Sequence, residues 1–421
     1  LMKKILRDNK GSISALVVIS VLLYSIVLTT AYMKASGKRR IQIQSQILAK
    51  DAYEKHFNNL DEIREEIIGL PGTDETQPYY PSSEFKKVKG TNLDNGLVIE
   101  DGDGNQYVWV EVPKNTTVYP TAGLNITDFT DDEYTKIEND LHTYTGVYRS
   151  ETIYADTWVD DTDNEGWFSE SEYYAHKKKM LKSVYQYGGF YVGRYEAGIA
   201  PEKEQARNYD ASDSSVYSTL HETTQQIITK ENAYPYNWVR RTQAKKLAES
   251  VNSGDKTSSL MFGIQWDLVL AFMNRDTTKV DSNILTNDSA TIGNYRDASF
   301  QLNKNGKYSV YSDWLQSTTW NLASNVSVDF VDSNGNKLIQ TQDGYGVLIT
   351  TGTSERNKVM NIYDIAGNVI EWTLENKSGT DTPCVGRGGD FHDKGSIYAS
   401  ARYGVIKTSC TSDIGFRVSI F

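Results

Sequence analysis

Three short blocks near the C-terminal end constrain the fold of this chain more than any other feature. They are NIYDIAGNVIEWT, GRGGDF and IGFRVSIF, at Asn361–Thr373, Gly386–Phe391 and Ile414–Phe421. In the first block, Gly367 and Asn368 interrupt an apolar run, and both residue types tolerate the positive φ of a tight turn. Gly388 and Gly389 lie where the backbone is expected to pass close to another part of the chain. The last block alternates apolar and polar residues as a final strand does. These patterns predict a β-rich fold with tight turns.

The same three blocks, in the same order, resemble the formylglycine-generating-enzyme-like (sulfatase-modifying-factor) family, a branch of the C-type lectin fold. The usual pattern of that family is GNVWEWT, then RGGSW, then a terminal GFR. This chain has Ile370 in place of the first Trp, and Asp390-Phe391 in place of the Ser-aromatic pair. The resemblance covers about residues 85–421 and implies an α+β, C-type-lectin-like domain rich in irregular loops.

A second constraint is an apolar run of 21 residues from Ile13 to Met33, broken only by Ser, Thr and Tyr. At ~1.5 Å per residue it is long enough to span a bilayer, so it predicts a long N-terminal transmembrane helix. A buried core helix is the alternative. The predicted organisation is a basic head or leader, the transmembrane helix, a helical stalk, a linker and the domain, at residues 1–12, 13–33, 34–68, 69–84 and 85–421.

The start of the chain also resembles the leader of filament subunits. KGSIS, from Lys10 to Ser14, is similar to the class III leader of type IV pilins and tight-adherence pseudopilins, which are cut after the Gly. Leu16 stands where those proteins usually have a Glu. The resemblance implies a pilin-like assembly stem, and a plain signal anchor is the alternative.

Charge is unevenly distributed along the chain. Residues 1–60 carry a net charge of +7, so the remainder of a chain with a net charge of −11 carries −18. An acidic domain argues against nucleic acid as a partner. The chain also contains 28 Tyr and 8 Trp, rings that supply contact area in recognition surfaces at low entropy cost.

Local patterns predict several elements of the domain. GLVIEDGDGNQYVWVEVP has two alternating stretches around a turn-rich loop and predicts a hairpin. Helical spacing and strand-like runs predict a helix, a strand and two further helices, at Tyr173–Tyr187, Tyr187–Gly198, Pro235–Ala248 and Ser258–Asn274. Residues 275–345 are polar and are predicted to form hairpins and long loops.

An acidic segment between these elements has the spacing of a calcium-binding loop. Asp161, Asp163, Glu165 and Glu172 fall at positions 1, 3, 5 and 12 of an EF-hand loop. No clear helix precedes it. An acidic solvated loop is therefore the alternative.

The residues that catalysis would require are missing from the expected positions. Oxygen-dependent members of the family hold copper with a cysteine pair just past the RGG-like block, and Asp390–Gly404 contains no Cys. Without a thiolate that chemistry has no physical basis. No two of the five His are three or four residues apart, and the chain has neither GxSxG nor a P-loop. We therefore expect no enzyme, no catalytic residues, and neither copper nor iron.

The two cysteines, Cys384 and Cys410, each precede a family block. If their strands are neighbours, they could form a single disulfide in an oxidising compartment. Two buried thiols are the alternative.

The resemblance also implies a structural calcium ion. In the family, oxygens of the GNVxEW turn commonly hold it, and Asn368, the Val369 carbonyl and Glu371 match that pattern. Oxygen ligands suit Ca²⁺. The alternative is that Glu371 caps the backbone or pairs with Arg387 or Arg417.

C-type lectin folds present ligands on long loops near the C-terminus, and the same fold occurs in the variable proteins of diversity-generating retroelements. The corresponding ligand-binding residues here are Asp390, Phe391, His392, Asp393, Ser396, Tyr398, Ser400, Arg402, Tyr403 and Lys407. Aromatic and polar groups together are typical of recognition surfaces.

The function expected from the sequence is that of a surface-displayed adhesin or receptor, anchored in the membrane by its N-terminal helix, with the domain outside the cytoplasm. Its expected partners are a protein or glycan ligand and other pilins. Two alternatives stay open: a formylglycine-generating-enzyme-like oxidoreductase, and a minor pilin whose lectin-like head is structural.

Overall fold

The structure, a computed structural model, describes residues 78–149, 153–161, 166–200, 226–298, 302–311, 320–322 and 346–421. The chain divides into two compact units, Leu1–Asp74 and Glu75–Phe421, and all the described residues belong to the second. The predicted leader and stalk lie outside the described residues.

The strands within the described residues are mostly short. They are β1 Lys86–Lys87, β2 Val98–Glu100, β3 Gln106–Glu111, β4 Tyr154–Ala155, β5 Gly189–Gly193, β6 Gly198–Ile199, β7 Tyr234–Pro235, β8 Ser258–Leu260, β9 Lys307–Tyr311, β10 Asn321–Leu322, β11 Gly346–Ile349, β12 Lys358–Val359, β13 Ile362–Tyr363, β14 Ile370–Lys377, β15 Cys384–Arg387, β16 Arg402–Val405, β17 Ile414–Phe416 and β18 Val418–Ile420.

The helices in the same residues are α1 Asp131–Tyr144, α2 Glu170–Tyr187, α3 Arg241–Glu249, α4 Gly263–Met273 and α5 Ser282–Thr286. Ser169 and Glu172 form a capping box that begins α2. Gly188 ends α2 with φ 70°, a left-handed conformation that glycine adopts at little cost.

The largest sheet has the strand order β1-β2-β3-β5-β18-β8, and every neighbouring pair is antiparallel. β2 and β3 form the predicted hairpin. The strand β18 lies between β5 and β8, so it is paired on both edges. Trp109 and Tyr191 pack edge-to-face on this sheet within the hydrophobic core.

The second sheet has the order β16-β15-β14-β17, and β4 also pairs with β14. β14 and β17 are parallel, whereas β15 is antiparallel to both β14 and β16. A third, antiparallel sheet has the order β10-β9-β11. β16 is an edge strand of the second sheet among the described residues.

The turns of the first two C-terminal blocks take the backbone conformations that the sequence predicts. Gly367 and Asn368 have φ of 69° and 63°. A Cβ on Gly388 would lie 2.7 Å from the Ile365 carbonyl oxygen, and one on Gly389 would lie 2.7 Å from the Ile397 carbonyl oxygen. The expected close approach of the backbone at these two glycines is confirmed.

The fold class needs a correction. We expected a lectin-like domain preceded by a long transmembrane helix, but no helix in the described part of the chain is both long and apolar enough to cross a membrane. The longest of these helices, α2, has 18 residues and carries four lysines, Lys177, Lys178, Lys179 and Lys182. The described residues form a mixed domain of helices and largely antiparallel sheets, and the transmembrane helix is not part of it. The predicted span from Ile13 to Met33 lies outside the described residues.

Candidate functional site

A buried network of charges joins the four elements beneath the predicted binding window. Each of two arginines contacts both of two carboxylates: Arg387 lies 2.7 Å from Asp267 and 3.1 Å from Glu375, and Arg402 lies 2.6 Å and 2.9 Å from the same two. None of the four side chains is more than 3% exposed. Burial raises the pKa of Glu375, but the charges of Arg402 and Arg387 outweigh it and hold that pKa below its usual value. The network fixes β14, β15 and β16 against α4.

A second buried ion pair occupies the turn of the first block. The Arg417 guanidinium donates to both carboxylate oxygens of Glu371, the shortest distance being 2.6 Å. Burial raises the pKa of nearby Glu196 well above its usual value, and the charges of Asp364 and Glu371 act in the same direction. Arg417 forms its ion pair with Glu371.

The two side chains of the predicted structural calcium site have protein partners. The Asn368 side-chain oxygen accepts from the Asn294 amide at 3.0 Å and from the Ile349 N–H at 3.1 Å. Glu371 forms an ion pair with Arg417. The alternative, that Glu371 pairs with Arg417, is therefore observed, and the calcium ion stays a prediction.

In the predicted calcium-binding loop, the two described carboxylates also have protein partners. Asp161 is buried and lies 3.2 Å from the Arg241 guanidinium, while Glu172 closes the capping box at the start of α2. Asp163 and Glu165 lie outside the described residues. Across the described ranges, no group of three or more His, Cys, Asp or Glu side chains is arranged to hold a metal ion.

Both cysteines are buried, and no disulfide joins Cys384 to Cys410. Burial raises the pKa of the Cys384 thiol to about 11. At neutral pH this thiol is in its protonated and weakly nucleophilic form.

Half of the predicted ligand-binding residues face the interior. Phe391 is fully buried in a small apolar cluster with Tyr311, Leu348 and Val369, and its ring lies 4.9 Å from that of Tyr311. The third sheet thus covers this part of the window. The other interior residues are Asp390, His392, Ser400 and the guanidinium of Arg402.

The remaining residues of the window reach the surface. Ser396 is exposed, and Asp393, Tyr398, Tyr403 and Lys407 are half-buried. The Tyr403 hydroxyl donates to the Asp393 carboxylate at 3.1 Å, and the Lys407 ammonium donates to the Asp160 carbonyl. Tyr403 belongs to β16, whose four residues are all half-buried.

Three aliphatic side chains that the sequence did not assign to ligand binding are exposed. Val147 is 62% exposed, Ile406 49% and Ile153 38%, and they are three of the five large hydrophobic side chains exposed among the described residues. Ile406 directly follows β16, whereas Ile153 directly precedes β4, which pairs with β14. We call β16, Ile406, Tyr398 and Lys407 the β16 surface.

One carboxylate of the window, Asp393, contacts β16 through the Tyr403 hydroxyl. Asp393 and Asp413 interact electrostatically, and neither forms an ion pair with a Lys or Arg in the described residues. Burial raises the pKa of Asp393, and the charge of Asp413 acts in the same direction. This contrasts with the interior, where Asp267, Glu371 and Glu375 each contact an arginine.

The sequence did not predict Ile406 as part of this surface. An isolated aliphatic residue gives no signal of its exposure.

Comparisons with known proteins do not identify the chain. No protein-family model matches it, and no curated protein matches it. Among solved structures it is similar to one titled "Crystal Structure of CarF", at 16% identity and a TM-score of 0.26, covering 55% of this chain and 85% of that chain. A TM-score of this size carries no argument about fold or function.

Proposed function

We propose that this protein is a non-enzymatic recognition protein, an adhesin or receptor, whose domain is of the formylglycine-generating-enzyme type and binds its ligand at the β16 surface. One observation carries the proposal. Ile406 is 49% exposed and directly follows β16, a strand of half-buried residues that lies within the window predicted from the sequence.

The buried ion pairs beneath the β16 surface also favour a role in binding. The buried pairs of Arg387 and Arg402 tie β15 and β16 to α4, so the surface stands on a rigid frame. Tyr398 and Tyr403 provide half-exposed aromatic rings on that frame. Rigid aromatic anchors supply much of the binding energy in recognition surfaces.

Thiol chemistry is disfavoured by the same structure. The pKa of Cys384 is raised to about 11 by burial, whereas a nucleophilic cysteine has a lowered pKa and an exposed sulfur.

The test is a binding screen with the full chain against a glycan array and a library of linear peptides. For any ligand found, Ile406→Asp should weaken binding at least about tenfold, the effect of losing an interface anchor. Leu322→Asp is the matched control, because Leu322 is 39% exposed on β10 and is not part of the β16 surface. Equal affinities of the two variants would contradict the proposal.

A further inference from the structure

We propose that His176 is an acid-sensitive switch: its neutral ring holds α2 against β8 and the end of β18, and protonation of the ring weakens these contacts. The strands involved belong to the largest sheet and not to the β16 surface. The switch is therefore independent of the binding function proposed above.

The ring of His176 lies in an apolar cage where several elements meet. It is 8% exposed, and its centroid lies 5.0 Å from that of Phe168, 5.8 Å from that of Phe262 and 5.4 Å from that of Phe421. These rings stand just before α2, just before α4 and just after β18. A charged imidazolium in such surroundings is costly, because apolar rings do not replace the water that would solvate it.

The other neighbours of the ring do not offset this cost. The Nε2 atom of His176 lies 2.7 Å from the Ser259 hydroxyl oxygen on β8, and a hydroxyl can partner the neutral ring. The charges that act on the ring are those of Lys179 on α2 and Lys245 on α3, and both oppose a further positive charge. Neither β8 nor β18 contains a charged residue.

Acidic side chains on the surrounding helices have other partners. Glu172, four residues before His176 on α2, accepts from the Ser169 N–H at 2.8 Å and from the Ser169 hydroxyl at 2.7 Å. Glu249 on α3 pairs with a lysine of the same helix at 2.8 Å. Asp267, the acidic residue of α4, belongs to the buried ion pairs with two arginines. A proton on the ring would thus enter without a counter-charge of its own.

The other two histidines of the described residues have different surroundings. His142 lies 3.7 Å from Glu138, and His392 lies 3.8 Å from Asp390. His176 has no such carboxylate neighbour in this part of the chain, and burial lowers its pKa from 6.5 to about 4, with the two lysines acting in the same direction. At neutral pH the ring is therefore uncharged.

A pKa that is lower in the folded state sets the direction of the switch. Between the two values the unfolded chain binds a proton at this histidine that the folded chain excludes. The contribution of His176 to stability is therefore complete above about pH 6.5 and is lost as pH falls towards about 4. Phe421 beside the ring donates to the Thr257 carbonyl at 2.9 Å and accepts from the Thr257 N–H at 2.8 Å, so exchange of these amides reports on the switch.

The first experiment is urea denaturation of the full chain from about pH 7 to about pH 4, with the native protein and His176→Gln, whose amide stays neutral. On acidification the unfolding constant of the native protein should rise at least about tenfold relative to that of His176→Gln. His142→Gln is the matched control and should not reduce the rise, because that ring lies beside a carboxylate and not among apolar rings. The same pH dependence in the native protein and His176→Gln would overturn the switch.

The second experiment uses the native protein alone and so does not depend on the folding of a variant. Amide exchange is followed at about pH 7 and about pH 4.5, after correction for the intrinsic effect of pH on exchange. Protection of β8 and β18 should fall in acid by more than that of β2 and β3, and should return on neutralisation. An equal fall in all four strands, or no fall, would contradict the proposed role of His176.

Discussion

The buried ion pairs of Asp267 and Glu375 with Arg387 and Arg402 should contribute strongly to the free energy of unfolding. Asp267 accepts from Arg387 at 2.7 Å and from Arg402 at 2.6 Å, and its side chain is 1% exposed. Asp267→Asn keeps the shape of the side chain but removes its charge. The two buried guanidinium groups then have a single carboxylate, that of Glu375, between them. Removing one partner of a buried ion pair costs about 3–5 kcal/mol, because the remaining charge stays buried without compensation.

The assay is urea denaturation followed by tryptophan fluorescence, with free energies of unfolding extrapolated to water. Arg275→Gln is the matched control, because Arg275 pairs with Glu111 at 2.6 Å but is 38% exposed. An exposed pair of this kind contributes about 0–1 kcal/mol. The reasoning would be refuted if Asp267→Asn lowered the free energy of unfolding by no more than Arg275→Gln does.

Three further predictions concern pH, backbone conformation and sequence variation. Burial raises the pKa of Asp156 from 3.8 to about 6, so between these pH values the folded state binds a proton that the unfolded state has lost. The contribution of Asp156 to the free energy of unfolding should therefore fall as pH rises from about 4 to about 6. In urea titrations Asp156→Asn should reduce that fall. Gly388→Ala should cost about 1–3 kcal/mol in the same assay, because φ is +93° and the new Cβ would meet the Ile365 carbonyl, whereas Gly379→Ala, with open space around it, should cost less. In genes from sibling strains, substitutions within 390–407 should fall on its exposed and half-buried positions and spare the buried ones; an even spread would contradict the assignment.

Much of the local structure could be predicted because it depends on short-range signals. The hairpin of β2 and β3 and the helix α2 follow from alternation, helical spacing and a capping box. The turn at Gly367 and Asn368 follows from residue types that tolerate positive φ. None of these elements requires knowledge of distant parts of the chain.

One stretch shows where short-range patterns fail. Ser258–Asn274 has the spacing of a single amphipathic helix, but the structure divides it into β8 and α4. β8 is a strand because it pairs with β18 at the other end of the chain. Every residue of α4 except Ala271 is buried, so the helix has no solvated face for periodicity to reveal.

Which residues of the predicted window reach solvent also depends on distant parts of the chain. Asp390 and Phe391 read as exposed polar and aromatic recognition residues, but β9 and β11 bring Tyr311 and Leu348 over Phe391. Arg402 was expected at the ligand, yet its guanidinium completes the buried network with Asp267. Tertiary packing of segments remote in sequence decides which of these side chains reaches solvent, and the sequence of the window does not contain that information.

Whether the β16 surface binds the ligand can be decided by comparing three affinities. Binding curves for a ligand found in the screen are measured with the native chain, Ile406→Asp and Leu322→Asp, after circular dichroism shows that all three are folded. Ile406→Asp should lose at least about tenfold in affinity, and Leu322→Asp should bind as the native chain does. If Ile406→Asp binds as tightly as the native chain, the β16 surface is not the binding site.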